Sequence, residues 1–123
     1  MQPTSLSFKG VGMITTLDIS EFQPSSDKTI WDVRDADNYQ QGHIEHAINH
    51  PLDTLDKSLL DGTTGDVYVL CGGGTKAQKA AERLNEFDPT RSIIHLTGGT
   101  RAAIAIGMTI VREDDSIQNT SNK

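Results

Sequence analysis

The chain has one cysteine, Cys71, in 123 residues, so no internal disulfide can form. That excludes the small cross-linked scaffolds of oxidising compartments and suits a reducing cytoplasm. Aromatic residues make up only 5% of the chain, so any core must be built from Ile, Leu, Val and Ala. Basic residues number 11 against 17 acidic ones, giving a net charge of -6. No basic stripe is present, and nucleic acid is not an expected partner. No stretch approaches the roughly 18 apolar residues that span a bilayer, so no membrane partner is expected either. The opening segment "MQPTSLSFKGVGM" lacks the apolar run of a secretory signal. The expectation is a cytoplasmic protein of one domain, long enough to bury its own core.

The pattern along the chain sets the organisation. Residues 1–13 read as a loose leader, 14–111 as the folded domain, and the polar residues 112–123 as a disordered tail. "TTLDISEFQ" carries Asp18 and Glu21 at capping-box spacing and predicts a short helix. "TIWDV" predicts a strand, and "RDADNYQQGHI" a helical turn stopped at Gly42. "HAINHP" reads as extended, and "DTLDKSLLDG" as a short helix closed by Gly62. "DVYVLC" is the most apolar run and predicts a central strand buried on both faces. From Lys76 to Phe87, residues Ala77, Ala80, Ala81, Leu84 and Phe87 recur at helical spacing on one face. "SIIHL" predicts another strand, "TGG" a turn and "TRAAIAIGM" a last helix. Strands alternating with helices imply an α/β domain with a mainly parallel sheet and helices on both faces. Ligands of such sheets sit beyond the carboxyl ends of the strands, which is where Cys71 falls.

The stretch "VLCGGGTKAQKAAERL" is the chemical focus. Three readings of it are open. A strand-end cysteine can be inert packing, and a glycine run can be a hinge. A glycine loop followed by lysine and a helix is the outline of a nucleotide phosphate loop. Here, however, Thr75 precedes Lys76, and Ala77 stands where a metal-binding hydroxyl belongs. The third reading is a thiolate cradle: backbone N–H groups and the next helix start converge on the sulfur, with Lys76 adding charge.

Three ordered blocks decide among these. "IWDVRDADNYQQGHIEHAINHP", "VYVLCGGGTKAQKAAERL" and "IIHLTGGTRAAIAIGM" together resemble the rhodanese family of sulfurtransferases in its single-domain form, over about residues 14–110. The resemblance implies a rhodanese-like five-stranded parallel sheet and Cys71 as the catalytic residue. Cys71 would carry a sulfane sulfur as a persulfide in the loop that runs Cys71, Gly72, Gly73, Gly74, Thr75, Lys76. Its six-position length matches the sulfurtransferases, whereas the related phosphatase and arsenate-reductase branch has a loop one residue longer. The donor would be thiosulfate or a persulfide, and the acceptor cyanide or a thiol, including a protein thiol. No cofactor would be needed. The non-enzymatic alternative is a persulfide carrier or a rhodanese-like interaction module.

Several positions differ from the usual family residues. Lys76 stands where Arg is common. Asn38 stands where an acid usually pairs with the arginine at Arg34, so a hydrogen bond is expected there instead. The resemblance gives Asp32, Arg34 and His43 structural roles near the site. His43, His46 and His50 lie in a segment broken by Gly42 and Pro51, so no metal site is expected. Arg101, after Gly98-Gly99, is a possible anion contact, because the loop itself is poor in cations.

Overall fold

A computed structural model describes residues 13–73 and 75–112 of the chain. The leader up to residue 12, Gly74 and the tail from residue 113 lie outside the described residues. Five strands form one sheet: β1 (Met13–Asp18), β2 (Thr29–Asp32), β4 (Ile48–Asn49), β5 (Val67–Leu70) and β6 (Ser92–Thr97). Their order is β1-β6-β5-β2-β4, and each neighbouring pair is parallel. A two-stranded antiparallel ribbon, β3 (His43–Ile44) with β7 (Ile110–Val111), stands apart from it. The helices are α1 (Ala36–Gln41), α2 (Lys57–Asp61), α3 (Thr75–Phe87) and α4 (Gly99–Ala105).

Alternation along the strands divides the core in two. Trp31, Val33, Val67, Val69 and Ile93 face α2 and α3, where they meet Leu60, Ala77, Ala80, Ala81 and Leu84. Ile30, Leu70 and Leu96 face the other way and meet Ile19, Phe22, Ile44 and Ala103. β5 lies third of the five strands, and Val67, Val69 and Leu70 are fully buried. The expected central strand is therefore in place, with helices on both faces. A fully buried aliphatic side chain stabilises by roughly 1.5–3 kcal/mol, which suits a fold almost free of rings.

Some elements differ from the sequence reading. "TTLDISEFQ" is not a helix at its start: Met13 to Asp18 form β1, and only Ile19–Glu21 turn as a short 3-10 helix. Asp18 does cap that turn, accepting from the Ser20 N–H at 2.9 Å. Tertiary pairing overrides local propensity here, because β1 lies alongside β6 over its whole length. Of "HAINHP", only Ile48–Asn49 pair as strand; His46 adopts φ 72 and turns the chain. The last helix ends at Ala105, and Ile110–Val111 return to pair with β3.

Candidate functional site

The loops that leave the carboxyl ends of β2, β5 and β6 meet at one edge of the sheet. Asp32 is level with Leu70 in the β2–β5 register, which brings Arg34 beside Gly72. A Cβ on Gly72 would lie 3.8 Å from the Arg34 Cδ. After β6, the chain folds directly onto the cysteine loop. The Thr100 N–H donates to the Cys71 carbonyl at 2.8 Å, and the Arg101 N–H donates to the Gly72 carbonyl at 3.1 Å. A trans peptide points its N–H opposite its C=O, so the amides following those carbonyls face away from α4.

Gly99 makes this docking possible. It sits at φ +62, and a Cβ there would fall 2.2 Å from the Cys71 carbonyl oxygen. No side chain fits in that space, and a non-glycine residue would also pay for the left-handed backbone. At Gly98, with φ +86, an added Cβ would fall 2.8 Å from the Ala102 Cβ. The double glycine is thus a close-approach device between two loops.

Cys71 is only 3% exposed. Its Sγ accepts the Ala77 N–H at 3.3 Å. Ala77 is in the first turn of α3, where the backbone N–H groups have no partner within the helix. The sulfur therefore caps the start of α3. It borders a cavity of about 600 Å³ lined by Arg34, Asn38, Gly72, Gly73, Thr75, Lys76, Thr100, Arg101 and Ile104 as well. The sequence-named loop residues Gly72, Gly73, Thr75 and Lys76 all reach this cavity; Gly74 lies outside the described residues.

The three cations at the cavity have unequal surroundings. Arg34 is committed to structure. Its Nε and Nη2 donate to Asp32 at 3.0 and 2.8 Å, and Nη2 also donates to the Gly42 carbonyl at 2.7 Å. Asp32 is fully buried and also accepts the Arg34 N–H at 3.1 Å. Asn49 ties the same corner, its Nδ2 donating to the carbonyls of Asp32 and Arg34 at 3.0 and 2.9 Å. The partner of Arg34 is thus Asp32 two residues before it, not Asn38, whose side chain borders the cavity instead. Lys76 lies 3.5 Å from the Asp35 carboxylate in an exposed pair. Arg101 is exposed and has no carboxylate or carbonyl partner for its guanidinium among the described residues.

His43 is placed elsewhere. It is buried in β3, its ring stacked on Tyr39 with centroids 3.7 Å apart, and Nδ1 is 2.9 Å from the Tyr39 carbonyl. Its neighbour Gly42 accepts from Arg34 at the edge of the site. His50 packs edge-on against Trp31, and its partial burial pushes its pKa down from 6.5. No group of three or more His, Cys, Asp or Glu among the described residues is arranged to hold a metal. Among the same residues, no helix is long and apolar enough to cross a membrane.

Sequence reasoning missed three lining residues or neighbours. Asp35 meets Lys76 across 41 positions, a contact that no local spacing signals. Ile104 is 57% exposed at the cavity mouth, although it reads as an ordinary helix residue. Thr100 is buried, and its hydroxyl makes no hydrogen bond among the described residues.

Residues 18–105 match the rhodanese-like domain family. No match is found among curated proteins. Among solved structures, a rhodanese-like domain of an Anabaena sp. protein is 29% identical with a TM-score of 0.65, over 73% of this chain and 69% of that one. A rhodanese from E. coli, solved with anions, is 30% identical with a TM-score of 0.56, over 69% of this chain and 98% of that one. A Bacillus halodurans protein shares the fold, with a TM-score of 0.69 at 19% identity, over 87% of this chain and 82% of that one. With the match extending from the end of β1 through α4 and so including all three loops of the cavity, the chain belongs to the rhodanese-like domain family.

Proposed function

We propose that the protein is a sulfurtransferase that works through a persulfide on Cys71. The observation that carries this reading is the Cys71 sulfur itself. It caps the first turn of α3 at the carboxyl edge of the central strand, beside an open cavity bordered by three cationic side chains. The Ala77 N–H fixes the sulfur where a nucleophile would have to stand to reach a donor in the cavity.

In the first half-reaction, the Cys71 thiolate attacks the sulfane sulfur of a donor such as thiosulfate. The donor S–S bond breaks, and sulfite leaves with the bonding electron pair. Cys71 then holds an S–S persulfide anion. In the second, an acceptor such as cyanide or a thiol attacks the outer sulfur, and the Cys71 thiolate leaves unchanged. The two steps share one enzyme-bound sulfur, so the kinetics are ping-pong. The loop shapes the cavity, Thr75 and Lys76 open α3 beside it, and Asp32 with Arg34 braces the neighbouring loop.

A second reading is a persulfide carrier that hands sulfur to a partner protein. It is favoured by Ile104, an exposed apolar side chain at the cavity mouth next to a loop with almost no side chains. Steady-state thiosulfate–cyanide kinetics beside intact-mass analysis separates the two. Turnover with parallel double-reciprocal lines, and a mass gain of one sulfur lost in Cys71→Ser, is the expected result. Sulfur loading without turnover to small acceptors would leave the carrier, and no loading at all would remove both.

A further inference from the structure

We propose that Arg101, outside the cysteine loop, is the residue that selects oxyanionic sulfur donors, in preference to Lys76 within it. The inference rests on the sulfur-transfer reading above and adds the determinant of donor class.

The argument begins with charge. Three cations border the cavity, and two of them already face acids. Arg34 is bound to the buried Asp32 through Nε and Nη2, with Gly42 taking a further bond. Turning it toward a ligand would leave a buried carboxylate unpaired, a large penalty. Lys76 faces Asp35 at 3.5 Å, so an approaching anion meets that carboxylate as well as the ammonium. The Arg101 guanidinium alone has no acidic neighbour among the described residues. It is the charge that an incoming anion meets uncompensated.

Placement makes the same point. The Arg101 backbone is fastened to the loop by its own N–H on the Gly72 carbonyl at 3.1 Å, beside the Thr100 bond to Cys71 at 2.8 Å. Two adjacent bonds fix the root of the side chain against the cysteine loop. Its tip lies over Gly73: a Cβ on that glycine would be 3.4 Å from Nη1. The guanidinium therefore lies across the loop at about van der Waals distance from where a side chain on Gly73 would begin. A planar guanidinium with several N–H donors can hold two oxygens of a sulfonate-like head at once, which a lysine ammonium cannot do with the same geometry. The donor class that fits is a small dianion with an oxyanion head and a transferable sulfur, thiosulfate being the simplest. A persulfide without that head gains nothing from Arg101.

The test compares two donors, thiosulfate and 2-hydroxyethyl persulfide, in the full chain and in Arg101→Ala, Arg101→Lys and Lys76→Ala. Arg101→Ala is expected to lower kcat/KM for thiosulfate roughly tenfold or more, through KM, with less than about a twofold change for the persulfide. Arg101→Lys should recover part of the loss, and Lys76→Ala should cost less than about threefold. A binding arm is independent of turnover: calorimetric titration of thiosulfate into Cys71→Ser, with and without Arg101→Ala, should show the same loss of affinity. Equal loss for both donors, a larger thiosulfate effect at Lys76 than at Arg101, or thiosulfate binding indifferent to Arg101 would overturn the proposal. Binding that depends on Arg101 in a protein that transfers no sulfur would uphold the anion site and reject the sulfur-transfer reading instead.

Discussion

Arg91 and Arg101 stand at opposite edges of the same sheet and have opposite surroundings. Arg91 precedes β6 at the amino edge. Its guanidinium donates to the carbonyls of Gly65 and Leu60, each at 3.0 Å, and to the Thr63 hydroxyl at 2.8 Å. That set of bonds closes the turn between α2 and β5. Arg101 follows β6 at the carboxyl edge, and its guanidinium has none of these partners among the described residues. The same side chain is structural where carbonyls saturate it and available where they do not. At the carboxyl edge the α4 amides on Cys71 and Gly72 hold the cysteine loop through backbone bonds, Arg34, Asp32 and Asn49 brace the neighbouring loop through side chains, and Arg101 is left facing the cavity. This edge is firm without drawing the Arg101 guanidinium into its bonds.

The sharpest way to break this contrast is at Gly99. Gly99→Ala should push the loops apart, since its Cβ has no space beside the Cys71 carbonyl and the backbone is left-handed. A stability loss of about 3 kcal/mol or more is expected, with sulfur loading of Cys71 falling in whatever fraction stays folded. Urea unfolding and intact mass after donor treatment measure the two. Retained stability and loading would show that the loops do not depend on this approach.

Arg91→Ala comes next. It strips the amino-edge turn of its bonds and should cost about 2 kcal/mol, seen as a lowered urea midpoint with unchanged slope. Sulfur transfer per folded molecule should stay at the parent level. A drop in kcat with intact stability would erase the division between the two edges. Asp35→Asn is a smaller change that sharpens it from the other side. Removing the carboxylate beside Lys76 frees that ammonium, and KM for thiosulfate should fall by about twofold. An unchanged or raised KM would mean that the ion pair does not restrain Lys76.

The smallest effect is one of pH. Burial lowers the His50 pKa from 6.5, so the folded protein resists a proton that the unfolded chain accepts. Its contribution to stability is present above about pH 6.5 and declines as the pH falls through that value and below it. The slope of unfolding stability between pH 7 and 5 should flatten in His50→Phe, which keeps a ring against Trp31 but cannot titrate. An identical slope would assign the dependence to other groups.

How much of this was legible in the sequence follows from the range of each interaction. α3 was plain because five apolar residues repeat across 13 helical positions, and β5 because its apolar run is unbroken. The cysteine loop was plain because its parts are contiguous. β1 was misread: Ile14 packs toward α3 and Leu17 toward the opposite face, with exposed threonines between them, so neither periodicity is clean. β3 and β7 are two residues each, too short to carry any pattern. In the site, Arg101 was visible as a residue, but its lack of an acidic partner was not. That property depends on where Asp32 and Asp35 spend their charge, and only the register of β2 beside β5 settles it.

The pairing of β1 with β6 has a consequence for the order of folding. Met13 is level with Ser92 and Asp18 with Thr97, so the first strand of the sheet finds its neighbour only near the end of the domain. During vectorial synthesis, β2, β5 and α3 can assemble while β1 waits as an unsatisfied edge. Long-range parallel closure of this kind is slow and leaves strand edges open to other chains. Until Thr97 is made, the segment from Met13 to Asp18 lacks its full pairing neighbour, so closing this side of the sheet waits on the last part of the domain.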